Sequence, residues 1–156
     1  MSAPGRDPEQ DTARQLRLCA DALHSARSMV VLSTGLSIVA AIGVALAGLV
    51  AGTTAIAFWS ATLAIGIFAQ WIGFRVAFDA RLFARLADEA AAGALDLARF
   101  DATMGALGLM PHDKAGRDAD ARCRGALDLV RTLGLIVVMQ VVFTGVAGAT
   151  LHGGWA

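Results

Sequence analysis

Residues 28–74 read SMVVLSTGLSIVAAIGVALAGLVAGTTAIAFWSATLAIGIFAQWIGF, with no Asp, Glu, Lys or Arg among them. A helix needs about 20 apolar residues to cross a hydrocarbon core about 30 Å thick. One helix over this whole stretch would overshoot a bilayer, so it is read as two antiparallel spans, residues 29–50 and 54–74. Ala51-Gly52-Thr53-Thr54 supplies the small and polar residues of a tight turn between them. The runs are continuous rather than alternating, and rich in Ala and Leu, which disfavours strands.

Toward the C-terminus a second uncharged stretch begins at Thr132, and residues 132–150 form a third span, leaving 151–156 as a tail. Toward the N-terminus the first 27 residues carry Arg6, Asp7, Glu9, Asp11, Arg14, Arg17, Asp21 and Arg27. That segment is too long and too mixed in charge for the leading region of a signal peptide, so the first span is read as retained. Residues 1–28 are expected to hold an amphipathic helix, capped by Asp11 or Thr12, with Leu16, Ala20 and Leu23 on one stripe.

The whole composition agrees. The chain has 156 residues, of which 56% are hydrophobic and 17% charged. Soluble domains carry about 25% charged residues, so an ordinary soluble domain is excluded, and so is a largely disordered chain. Formal net charge is zero, which speaks against a nucleic-acid surface. The basic residues are Arg apart from Lys114, and Asn and Tyr are absent, as expected of a GC-rich, bacterial genome.

Arg and Lys placement sets the expected orientation. Four basic residues precede the first span and nine lie in 75–131, whereas the turn near Gly52 and the tail have none. The N-terminus and residues 75–131 are therefore expected on the cytoplasmic side of a bacterial inner membrane, with the C-terminus outside. Trp59, Trp71 and Trp155 are expected as interfacial anchors, together with Arg75 and Arg131 at inner helix ends. The competing reading of Trp59 or Trp71 is a packing residue.

Residues 75–131 carry nine basic and nine acidic side chains and read as helix. Span two is expected to continue into this region until Gly93. A second stripe, Leu97, Phe100, Met104 and Leu107, ends at Gly108 and Pro111. Acid-then-Arg pairs at i,i+4 (Asp113/Arg117, Asp118/Arg122, Asp120/Arg124) start the helix that leads into span three.

The spans hold no ionisable residue at depth, which argues against a proton-translocating carboxylate or a voltage sensor. They lack the His pairs of a haem site, and no cofactor is expected. Their polar residues are Ser33, Ser37, Gln70 and Gln140; by rise along the helices, Ser37 matches Gln140 in depth and Ser33 matches Gln70. Hydrogen-bonded glue between helices is the favoured reading, a polar path the alternative. Ser33, Ser37, Ala41 and Ala45, and Ala69 and Gly73, form small stripes spaced by four, expected at helix–helix interfaces. Cys19, His24, His112 and Cys123 have zinc-ligand chemistry but match no compact spacing, so no metal is expected and reduced thiols are the default.

No phosphate-binding loop, H-E-x-x-H or nucleophile elbow is present. The expectation is an all-α integral membrane protein with three transmembrane helices and a helical cytoplasmic region between spans two and three. Its expected role is non-enzymatic: an accessory or scaffold subunit whose partners are membrane lipids and copies of itself or another membrane protein. The alternative is a small oligomeric transporter or channel with a weakly polar pore. A third reading, a lipid-modifying enzyme, would need Asp79, Asp118 or Asp120 to converge at one cleft.

Overall fold

A computed structural model of the chain describes residues 8–50, 53–109 and 116–153. The described residues form five helices and no strand: α1 (Pro8–Ser25), α2 (Arg27–Val50), α3 (Thr53–Ala91), α4 (Leu97–Ala106) and α5 (Ala119–Gly153). Three helical stretches are long and apolar enough to cross a membrane, one through α2, one in α3 and one in α5. The turn residues Ala51 and Gly52 and the tail residue Trp155 lie outside the described residues.

The ends of the helices follow from local chemistry. Pro8 and Glu9 already lie in α1, so the helix is under way before a cap at Asp11 or Thr12 would start it. Gly93 adopts a φ of 66°, and the N–H of Ala94 donates to the carbonyl of Glu89 at 2.9 Å, which closes α3 in a left-handed glycine turn. Gly108 ends α4 in the same way, with Leu109 N–H on the carbonyl of Met104. Asp96 caps α4 through the N–H of Arg99, and Asp118 caps α5 through the N–H of Ala121. α5 runs to Gly153, so the helix continues past the expected end at residue 150.

The chain divides into two compact units, Met1–His24 with Phe78–Asp128, and Ser25–Ala77 with Leu129–Ala156. In the second, apolar unit most buried positions advance by alternating steps of three and four. On α3 these are Ala55, Trp59, Thr62, Gly66, Ala69, Gly73 and Val76, with Ile72 buried beside them. On α5 they are Leu133, Val137, Gln140 and Ala147, with Ile136 buried beside them. On α2 they are Ser33, Ala40 and Ala47, with Ser37 and Val44 half-buried between them and Gly43 buried beside them. This 3.5-residue period is the seam of a left-handed helix bundle. Most of its residues are small, so backbones approach closely, which is how helices associate in hydrocarbon.

Many large apolar side chains of this unit face outward: Leu32, Ile38, Ile42, Leu49, Phe68, Phe74, Leu135 and Val142 are exposed, as would suit a lipid-facing surface.

In the other unit the buried positions of α1 are Leu16, Cys19, Ala20 and Leu23, those of α3 are Ala80, Phe83, Leu86, Ala87 and Ala90, and those of α5 are Cys123 and Ala126. Here larger apolar side chains enter the core. α4 has no buried residue. It is tied by an ion pair from Asp101 to Arg122 at 2.7 Å, whose side chains are only 9% and 10% exposed. Arg122 also lies over the ring of Phe100, and the second Asp101 oxygen accepts from Gly116 N–H. The expected Asp118/Arg122 pair is therefore replaced: Asp118 is spent on the helix cap, and Arg122 reaches across to Asp101.

The seam makes a direct prediction about two glycines of α2. A Cβ at Gly43 would overlap the indole of Trp59, whereas a Cβ at Gly35 meets nothing within 4 Å. Gly43→Ala should lower unfolding stability in detergent by about 1–3 kcal/mol through overpacking. Gly35→Ala should lose less than about 0.5 kcal/mol. Equal effects in a denaturant titration followed by circular dichroism would contradict the seam.

Candidate functional site

The polar groups of the apolar unit gather at one place on its seam. Gln140 of α5 is fully buried. Its carbonyl oxygen accepts from the Ser33 hydroxyl at 2.7 Å, and its amide donates to the Ser37 hydroxyl at 3.1 Å and to the Ser33 carbonyl at 3.3 Å. Ser37 in turn donates to the Ser33 carbonyl, one turn back. Thr144 donates to the Gln140 carbonyl in the same manner. Every hydroxyl and amide in the cluster thus has a partner inside the chain, which is what burial in hydrocarbon requires.

Gly66 of α3 makes room for this cluster. A Cβ there would collide with the Ser37 hydroxyl and the Gln140 amide. Gly73 does the same two turns further along α3, where a Cβ would press on Val30. The seam of α3 brings Ala69, fully buried, between these two glycines.

Gln140 joins both Ser33 and Ser37, while Gln70 takes a different partner, donating to the Thr34 hydroxyl at 3.0 Å on an exposed face. Ser33 and Gln70 are therefore not paired. Ala41 and Ala45 are exposed. The physical reason is angular: a step of four residues turns 400°, so a strict four-residue stripe drifts 40° per step away from a 3.5-residue seam. The seam passes instead through Ala40, Val44 and Ala47.

Trp59 also departs from the anchor role. It is 5% exposed, in a cluster with Ala40, Ala47, Ala55 and Ala147, and its indole N–H has no hydrogen-bond partner among the described residues. Four small residues around one indole are a volume match, so Trp59 fills the seam rather than facing headgroups. Trp71 remains outward, stacked on Phe68 at 5.9 Å with the Arg75 guanidinium 5.5 Å from its ring. Arg75 and Arg131 are exposed.

Sequence reasoning passed over Gly66, Thr34, Thr62 and Thr144. Thr62 is fully buried and donates to the Phe58 carbonyl. Only spacing could have flagged these residues, since Gly66 stands three and seven positions from Ala69 and Gly73 on the seam.

Outside the apolar unit, Asp118 and Asp120 are not brought together at one cleft. Asp118 caps α5 and Asp120 accepts a hydrogen bond from Gln15, so each is engaged in a structural bond of its own. Among the described residues no three His, Cys, Asp or Glu side chains are placed to hold a metal; His112 lies outside them. The hydrogen bonds of the Ser33–Ser37–Gln140 cluster join α2 to α5.

No protein-family model, no curated protein and no solved structure matches this chain.

The cluster predicts an asymmetry between the two glutamines. Gln140→Leu removes the group that joins α2 to α5, and should cost about 1–2 kcal/mol of unfolding free energy in micelles. Gln70→Leu cuts an exposed bond only, and should change stability by less than about 0.5 kcal/mol. A Gln70 effect as large as that of Gln140 would contradict the burial pattern.

Proposed function

We propose that this chain is an accessory or scaffold subunit of a bacterial inner membrane. The N-terminus and residues 75–131 lie on the cytoplasmic side, and the protein binds another membrane protein or a copy of itself through helix–helix contacts. No enzymatic step is assigned to it. The orientation is supported by the placement of all the basic residues in the segments before span one and between spans two and three.

The observation that carries the reading is the small residues left over on outward faces. Ala41, Ala45 and Gly48 form one flank of α2 and are exposed, and a Cβ at Gly48 meets nothing within 4 Å. On α5, Val138, Val142, Gly145 and Ala149 share an exposed stripe, and Gly145 is equally open. Gly costs about 1 kcal/mol in a helix relative to Ala. Outward glycines on a membrane helix give another backbone room to approach.

The transporter or channel reading has one observation in its favour. Gln70 and Thr34 place a hydrogen-bonded polar pair on an exposed face of the apolar unit. In that reading several copies would surround the pair. The Ser33–Ser37–Gln140 cluster supports the scaffold reading, because its polar groups are consumed inside one chain.

The test is affinity purification of the tagged protein, at native expression in mild detergent, with identification of co-purifying chains. A stoichiometric partner or a defined homo-oligomer is expected. Replacing Ala45, Gly48 or Gly145 by Leu should deplete that partner at least tenfold, with the unfolding midpoint unchanged. A monomer with no companion, insensitive to these substitutions, would overturn the reading.

A further inference from the structure

Two thiols separated by more than a hundred residues of sequence meet in the unit that contains α1. Cys19 of α1 and Cys123 of α5 are 5% and 7% exposed, and the Cys19 thiol donates a hydrogen bond to the Cys123 sulfur. Leu16, Leu23 and Ala126 are buried on the same faces of these helices. A single buried cysteine is an ordinary small apolar residue. Two that face each other across a helix pair are positioned for one specific reaction.

We propose that Cys19 and Cys123 are an oxidation site: a peroxide-class oxidant converts the facing thiols to a disulfide that ties α1 to α5.

The hydrogen bond couples the two thiols as a pair. Burial pushes the Cys19 thiol up to about 12, and the bond it donates to Cys123 and the nearby Asp79 carboxylate act in the same direction. Burial also raises Cys123, with Asp120 adding to it, but the hydrogen bond received from Cys19 opposes the rise. In the proposed step Cys123 is the first thiol to give up its proton. Its thiolate attacks one peroxide oxygen, the O–O bond breaks, and Cys123 becomes a sulfenic acid while hydroxide takes up a proton to leave as water. Cys19 then attacks the Cys123 sulfur, the S–O bond breaks, and the second water departs carrying the Cys19 proton. Two thiols and one hydrogen peroxide thus give one disulfide and two waters, with the two electrons passing to the peroxide.

Raised, buried thiols react slowly in the closed state. The reaction is thus gated by transient separation of the helices, and the neighbouring thiol captures the sulfenic acid before further oxidation. The cross-link closes a loop from residue 19 to residue 123 and makes α1 inseparable from α5.

The resting redox state rests on the cytoplasmic placement proposed above, because that compartment keeps thiols reduced. The facing geometry does not rest on it. The test uses intact cells expressing the full chain, quenched in acid, alkylated with a high-mass maleimide and resolved without reductant. At rest both thiols should be alkylated. After a brief hydrogen peroxide pulse both should be lost together, the product remaining a single chain lighter by two hydrogens, and reductant should restore them. In either single variant, Cys19→Ala or Cys123→Ala, the intrachain cross-link should be absent and the remaining thiol should accumulate as a dimedone-reactive sulfenic acid. Survival of both wild-type thiols, or a disulfide between chains, would overturn the proposal. A cross-link already complete at rest would overturn it as a responsive site and would separately contradict the cytoplasmic placement. Absence of a co-purifying partner bears only on the scaffold reading.

Discussion

Inside hydrocarbon, three helices gain nothing from hiding large apolar side chains, because lipid accepts those side chains equally well. They hold together only by close backbone approach and by hydrogen bonds that water does not contest. The seam of α2, α3 and α5 in the apolar unit meets both conditions. Ala40, Ala47, Ala69 and Ala147 are fully buried and let the backbones approach, and Gln140 bonds across to Ser33 and Ser37. Gly66 is the condition for that contact, since no other residue leaves space for it. The hydroxyls of Thr62 and Thr144 donate to carbonyls one turn earlier, so the seam carries polar groups without leaving them exposed to lipid.

In the unit built from α1, α4 and the neighbouring stretches of α3 and α5, larger apolar side chains make the core. Leu16, Leu23, Phe83 and Leu86 fill that core. The surface pair Arg17–Asp88 is more than half exposed on both sides and adds little, about 0–1 kcal/mol. Asp101–Arg122 is another matter. Its two side chains are shielded, so removing either one strands a buried charge. That pair, more than any apolar contact, keeps α4 in place, since α4 buries no residue of its own. The two units are thus held by different chemistry.

Much of this was legible in the sequence, and what escaped has a common cause. The three apolar stretches, the extension of span two to Gly93 and the break at Gly108 follow from hydropathy, length and glycine. The seam escaped because amphipathic reading looks for large apolar residues facing inward. In the apolar unit many of them face outward, and much of the inward period is carried by Ser33, Ala40, Gly66, Gly73 and Gln140. Counting small residues every four positions selected Ala41 and Ala45, which lie on an outward flank. Trp59 near a span end suggests an anchor, and only three-dimensional volume shows four alanines making room for it. The Cys19–Cys123 contact escaped for a simpler reason: sequence separation says nothing about two long helices lying side by side.

The central claim is that α2 and α5 meet through Ser33 and Gln140, and not through the Ala41 flank. Disulfide trapping in membranes tests it most directly, in a chain whose Cys19 and Cys123 are replaced by Ala. The account predicts rapid intrachain cross-linking of Ser33→Cys with Gln140→Cys under mild oxidation, and little for Ala41→Cys with Gln140→Cys. Cross-linking that favours the Ala41 pair would contradict the seam and the reading built on it.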